Sequence, residues 1–159
     1  MLLFLLSTLA LANPYYGRWN QKPKVVVCDK MFIGEIEKAL DYWENLGFEY
    51  VISMNWSQCE KEVIDDGYIV VVRQERFSGN IYALTTVRFF SKTDEVVSAK
   101  VRLPKSSIGD GVVIIHEMGH AFGWRHSDKL GHVMNTDREK SGLNSWGVSK
   151  KDLEKYLLK

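Results

Sequence analysis

Residues Gly111 to Met134 read GVVIIHEMGHAFGWRHSDKLGHVM, and this stretch decides what kind of chain surrounds it. Residues four apart on an α-helix lie one above the other on the same face, so His116 and His120 aim two imidazoles at one point. Glu117, beside the first histidine, reaches a water held at that point. Gly123 is the natural stop for the helix, because glycine enters the left-handed conformation without steric cost. The chain then turns back and His126 offers a third nitrogen. Three histidines leave a tetrahedral zinc one open position, the arrangement of a hydrolytic site rather than of a closed structural one.

H-E-x-x-H alone is a weak signal. Here the glycine and the third histidine fix five positions within eleven, a match expected by chance in on the order of one in a million windows. A buried helix carrying satisfied histidines is the competing reading, and that rarity weighs against it. HEMGHAFGWRH followed by Met134 resembles the metzincin zinc peptidases, whose pattern is H-E-x-x-H-x-x-G-x-x-H with a Met-turn. Within that clan it resembles the matrixins most. Ser127 directly follows the third histidine as in matrixins, the spacing from His126 to Met134 also matches, and Thr136 stands where astacins and serralysins typically carry tyrosine.

The resemblance implies one catalytic zinc held by His116, His120 and His126, Glu117 as general base, and Met134 as the hydrophobic floor of the site. It also implies an α+β, metzincin (zincin-like) fold: a twisted, mostly parallel sheet of four to five strands with an N-terminal helix, a zinc-binding active-site helix, a Met-turn and a C-terminal helix. A polypeptide substrate would lie extended along a sheet edge, adding its backbone as another strand. That layout nominates residues 81–90 as the edge, with Ala83 and Leu84 as backbone partners of the substrate.

Several positions depart from the matrixin pattern. Asn135, Thr136 and Asp137 replace the Pro and Tyr that usually wall the main specificity pocket. His132 is the remaining histidine, so a second, structural zinc has no histidines to bind it, and calcium sites are not evident. His132 reads as a loop histidine without a metal role.

The 159 residues suit one domain with a real core, and 45% hydrophobic with 26% charged residues is ordinary for a globular protein. Lys+Arg 21 against Asp+Glu 20 provides no basic patch for nucleic acid and no acidic tail. A monomer is expected. The opening MLLFLLSTLALA is apolar and uncharged, ends in a small-x-small cleavage signature, and is too short to span a bilayer. Residues 1–12 therefore read as a signal peptide, residues 13–159 as the catalytic domain, and the product as secreted, without stable membrane insertion. A dozen residues then lead to the first strand with no zinc-blocking propeptide, so synthesis without latency is expected. Cys28 and Cys59 have one intramolecular pairing available in an oxidising compartment; a bridge and two buried free thiols both fit the sequence.

Outward from the zinc stretch, KVVVC at 24–28 reads as a strand. Residues 32–46 carry a helical stripe of Ile33, Ile36, Ala39, Leu40 and Trp43, with Gly47 as stop. Residues 50–56 and 68–73 are strand-like, the second apolar enough to be covered on both faces. A turn at Ser78-Gly79-Asn80 precedes the strand at 81–90. Val97, Ala99, Val101 and Leu103 alternate with polar residues, a half-buried strand closed by Pro104. Ser149 and Asp152 form a capping box for a last helix with Leu153, Tyr156 and Leu157 inward. Residues 13–24 read as an irregular segment lying over the domain. The reading that follows is a secreted zinc metalloendopeptidase. Its alternatives are a non-catalytic zinc-containing peptide-binding module of the same fold, which has no need of Glu117, and a zinc hydrolase acting on a terminal residue or small amide.

Overall fold

A computed structural model describes residues 14–79 and 81–157; the expected signal peptide lies outside them, as do Asn80 of the expected turn and the side chain of Leu157. The described residues form an α+β domain with five strands and three α-helices: β1 (Lys24–Val27), α1 (Ile33–Asn45), β2 (Val51–Ile52), β3 (Tyr68–Arg73), β4 (Leu84–Phe90), β5 (Glu95–Leu103), α2 (Gly111–Ala121) and α3 (Lys150–Leu157). The strands make one sheet in the order β2-β1-β3-β5-β4. β2, β1, β3 and β5 run parallel, and β4 alone is antiparallel, paired with β5 at one edge.

Alternation along the strands sorts the sheet into two faces. Val25, Ile69, Val71, Ala99 and Val101 share one face and join a single core cluster with Ile36, Leu40 and Trp43 of α1 and Ile114, Met118 and Ala121 of α2. The registers Thr85↔Val101 and Val87↔Ala99 put Thr85 and Val87 on that same helix-bearing face. The other face carries Val26, Val70, Ser98 and Lys100 and lies under the 53–67 connection. Lys100 Nζ donates to the Lys61 carbonyl (2.8 Å) and Arg88 Nη2 to that of Ile64 (3.0 Å). Both faces of β3 are covered, as its unbroken apolar run requires. A Cys28–Cys59 disulfide ties the end of β1 to this connection, with Cα atoms 5.7 Å apart.

Four expectations need correction. Only Val51 and Ile52 of the 50–56 stretch pair, opposite Lys24 and Val25; after Ser53 the chain turns, with Trp56 N donating to the Met54 carbonyl (2.9 Å), and Trp56–Glu60 is a 3-10 turn. The edge strand starts at Leu84 rather than residue 81. Ile33 is exposed, since a 3-10 turn over Lys30–Phe32 precedes α1 and buries Phe32 in its place. Tyr156 also lies outside the core, where its ring meets that of Tyr15 at 5.6 Å and its carbonyl accepts from the Tyr15 hydroxyl. The capping box is present: Asp152 N donates to Ser149 Oγ and Ser149 N to Asp152 Oδ2, each 3.2 Å.

Candidate metal centre

α2 is capped at its start by Asp110, whose Oδ1 accepts from the Val113 N–H (3.4 Å), and at its end by Phe122, with Gly123 following at φ +110°. Gly123 has a second reason to be glycine. A Cβ there would sit 2.1 Å from the Gly17 carbonyl oxygen, because residues 14–18 cross directly over the turn. Tyr16 N donates to the Gly123 carbonyl and Arg125 N to that of Pro14 (2.6 and 2.9 Å), so this segment pins the loop that carries His126. Gly119 is equally constrained: a Cβ would meet Met134 Sδ at 2.4 Å and the Trp43 ring at 2.5 Å. Trp43 is itself fixed by its Nε1 donating to the Ile115 carbonyl at 2.8 Å. The helix between His116 and His120 therefore rests on Met134 and Trp43.

His116, His120 and His126 come together with one ring nitrogen each, all within 4.8 Å of one another. His116 Nδ1 lies 2.8 Å from the Val133 carbonyl and His120 Nδ1 2.7 Å from that of Trp124. A carbonyl only accepts, so both rings carry their proton on Nδ1 and present Nε2 as a lone pair. His120 Nε2 and His126 Nε2 are 3.1 Å apart, close to the roughly 3.3 Å that two nitrogens on a tetrahedral ion 2.0–2.1 Å away would show. Burial depresses all three histidines, His116 to about 4 and His120 to about 3, so the imidazoles are neutral at pH 7. Neutral and converging, two of them fixed by carbonyls, the three rings could hold a metal ion. His120 is buried, His116 half-buried and His126 exposed, so the cluster opens towards solvent on one side.

Met134 is fully buried, and its segment touches the surroundings of every ring. The Val133 carbonyl holds His116, the Met134 carbonyl accepts from Ser127 N beside His126 (2.7 Å), and the Met134 thioether backs Gly119. His132 is buried, with Nδ1 accepting from Met134 N (3.0 Å) and Nε2 3.1 Å from the Trp146 carbonyl. It shapes this turn and stands apart from the three-histidine cluster.

A cavity of about 320 Å³ opens beside the cluster, lined by His116, Glu117 and His126 and by Ala83 and Leu84 at the start of β4. β4 is the last strand of the sheet, and no strand among the described residues pairs with its outer side, the side on which another strand could add. Ala83 is buried and Leu84 exposed. A larger hollow of about 610 Å³, lined by Trp19, Phe48 and Leu153, contains none of the histidines. Glu117 is 7% exposed, and desolvation raises its carboxyl to about 7, against a hydrogen bond from Thr85 that pulls the other way. Thr85 Oγ1 lies 2.5 Å from Glu117 Oε2 and 3.1 Å from the Glu117 carbonyl. Sequence reasoning missed Thr85: its partner is 32 residues away, and the one signal was its place two residues from Ala83 in the nominated edge. No protein-family model matches this chain and no curated protein matches it, so the chemistry of the site rests on these residues alone.

Proposed function

We propose that the chain is a secreted zinc-dependent endopeptidase of the metzincin type, most like a matrixin catalytic domain in its pattern. One observation carries the reading: three neutral imidazoles converge beside a buried glutamate, in a cavity bordered by a sheet edge that no described strand pairs with. Element order adds to it, with a mostly parallel sheet, an antiparallel edge strand, the histidine helix, the methionine turn and a terminal helix in that sequence.

His116, His120 and His126 would hold the zinc, which when bound supplies a water of lowered pKa and a Lewis acid for a carbonyl oxygen. The carbonyls of Val133 and Trp124 keep two of the rings in the ligating tautomer. Glu117 takes the proton of the attacking water and returns it to the leaving amine. β4 pairs with the extended substrate backbone, and Ala83 and Leu84 bring its scissile bond alongside Glu117. Among the described residues no helix is long and apolar enough to cross a membrane. The Cys28–Cys59 bridge and the apolar residues 1–12 support an exported product.

The test is cleavage of unfolded casein by the purified chain with zinc, beside a chelated sample and the Glu117→Ala variant. The expected result is cleavage lost on chelation and reduced by about 10²–10⁴-fold in the variant. A folded, zinc-loaded parent that leaves casein and blocked peptides intact would overturn the peptidase reading in favour of a binding module.

A further inference from the structure

We propose that Thr85 is a positioning residue for Glu117, and that through it the substrate-binding edge and the general base form one mechanical unit. The inference rests on the peptidase reading. Thr85 is the second residue of β4, directly after Leu84, and its register opposite Val101 turns its side chain to the helix-bearing face. There its hydroxyl meets Glu117 twice, at Oε2 (2.5 Å) and at the main-chain carbonyl (3.1 Å).

A hydroxyl has one proton to give, and the shorter contact to an ionised oxygen is the stronger acceptor. Glutamate's terminal torsion is broad, so an untethered carboxylate samples many orientations. Donation to Oε2 removes that freedom. Oε1 receives no hydrogen bond from any described residue, and Glu117 lines the cavity, so Oε1 is the oxygen left for the proton that moves. When Oε1 is protonated, Oε2 remains an acceptor and Thr85 keeps its bond, so the tether survives both halves of the transfer. Threonine suits the task because its branched Cβ restricts χ1. A strand added along β4 would engage the backbone on either side of Thr85, so seating a substrate also steadies the group that holds the base.

Thr85→Val keeps the shape and deletes the hydroxyl; Thr85→Ser keeps the hydroxyl. With a blocked peptide that the parent cleaves, Thr85→Val is expected to lower kcat by roughly 10- to 100-fold, the scale of a small misplacement of a catalytic group, while KM stays within about twofold. Thr85→Ser should retain kcat within about threefold. Zinc affinity, read by chelator competition, should be the same in all three, since neither change touches a ligand. In the metal-free chain, the loss of melting temperature caused by Thr85→Val should be smaller in a Glu117→Ala background, where the hydroxyl keeps only the main-chain carbonyl of residue 117. Full kcat in Thr85→Val, equal losses in the Val and Ser variants, or additive melting-temperature losses would each overturn the inference. A parent chain that cleaves nothing would instead sink the peptidase reading, an outcome distinct from an active parent with an indifferent Thr85→Val.

Discussion

β4 and β2 both end the sheet, yet β4 pairs along seven residues and β2 along two. β4 is backed by α2, with Thr85 bonded to Glu117 and Leu84 opening onto the cavity beside the three histidines. β2 has Val51 and Ile52 both exposed, and it is held by the Val51 N–H to the Pro23 carbonyl and the Ser53 N–H to that of Val25 (2.9 and 2.8 Å). Its surroundings are tied down covalently, through Cys28–Cys59, rather than by a packed helix. One edge is thus organised by packing around a polar cluster and the other by a cross-link. Stability and activity should therefore respond differently to damage at each.

The largest stability effect is expected on the β2 side. Replacing both Cys28 and Cys59 by serine releases a loop with a sequence separation of 31, worth about 3.7 kcal/mol in the chain-entropy account. Denaturant unfolding should register that loss, while kcat/KM on casein under folding conditions stays near the parent value. Loss of cleavage in a chain still folded would mean that the cross-link positions the site, and the two edges would no longer be independent.

On the β4 side a smaller structural insult should have the greater functional consequence. Gly119→Ala inserts one methyl group where Met134 Sδ and the Trp43 ring leave no room. Overpacking of this kind costs about 1–3 kcal/mol. The strain falls between His116 and His120, so zinc affinity by chelator competition should drop together with stability. Unaltered zinc affinity in a destabilised Gly119→Ala chain would show that the helix absorbs the methyl group without moving either ring.

The same contrast explains what the sequence made legible. The histidine spacing, the stop at Gly123, the apolar run of β3 and the Ser149/Asp152 cap are local patterns, and each is present at its residues. Residues 50–56 carry as good a strand pattern as 84–90, but only Val51 and Ile52 pair with β1 before the chain turns at Met54–Trp56, a departure that the alternation of residue types does not mark. Thr85 meeting Glu117, and the Trp43 indole meeting Ile115 across 72 residues, are products of register and helix packing and leave no local trace. The glycine at 119 was visible as a residue but not as a necessity, because Met134 and Trp43 come to it from two separate elements.

The smallest stability changes sharpen the comparison most. Leu84 and Ile52 are exposed aliphatic residues, 40% and 54% accessible, each on an edge strand of the same sheet. Substitution of either by lysine removes little buried surface, and surface changes of this sort fall within about 0.5 kcal/mol. Equal melting temperatures are expected for Ile52→Lys, Leu84→Lys and the parent. Cleavage should separate them. Leu84 borders the cavity with Glu117 and His116, so Leu84→Lys should lower kcat/KM by about tenfold, equivalent to roughly 1.4 kcal/mol of lost transition-state binding. Ile52 lies at the far end of the strand order, three strands removed from β4, and Ile52→Lys should leave kcat/KM unchanged. It should also reduce any self-association at high concentration, because a lysine blunts an edge flanked by exposed Val51, Met54 and Trp56. Equal losses of cleavage from the two substitutions would mean that a charge on either edge disturbs the same property, and β4 would lose its claim to be the edge on which peptide is read.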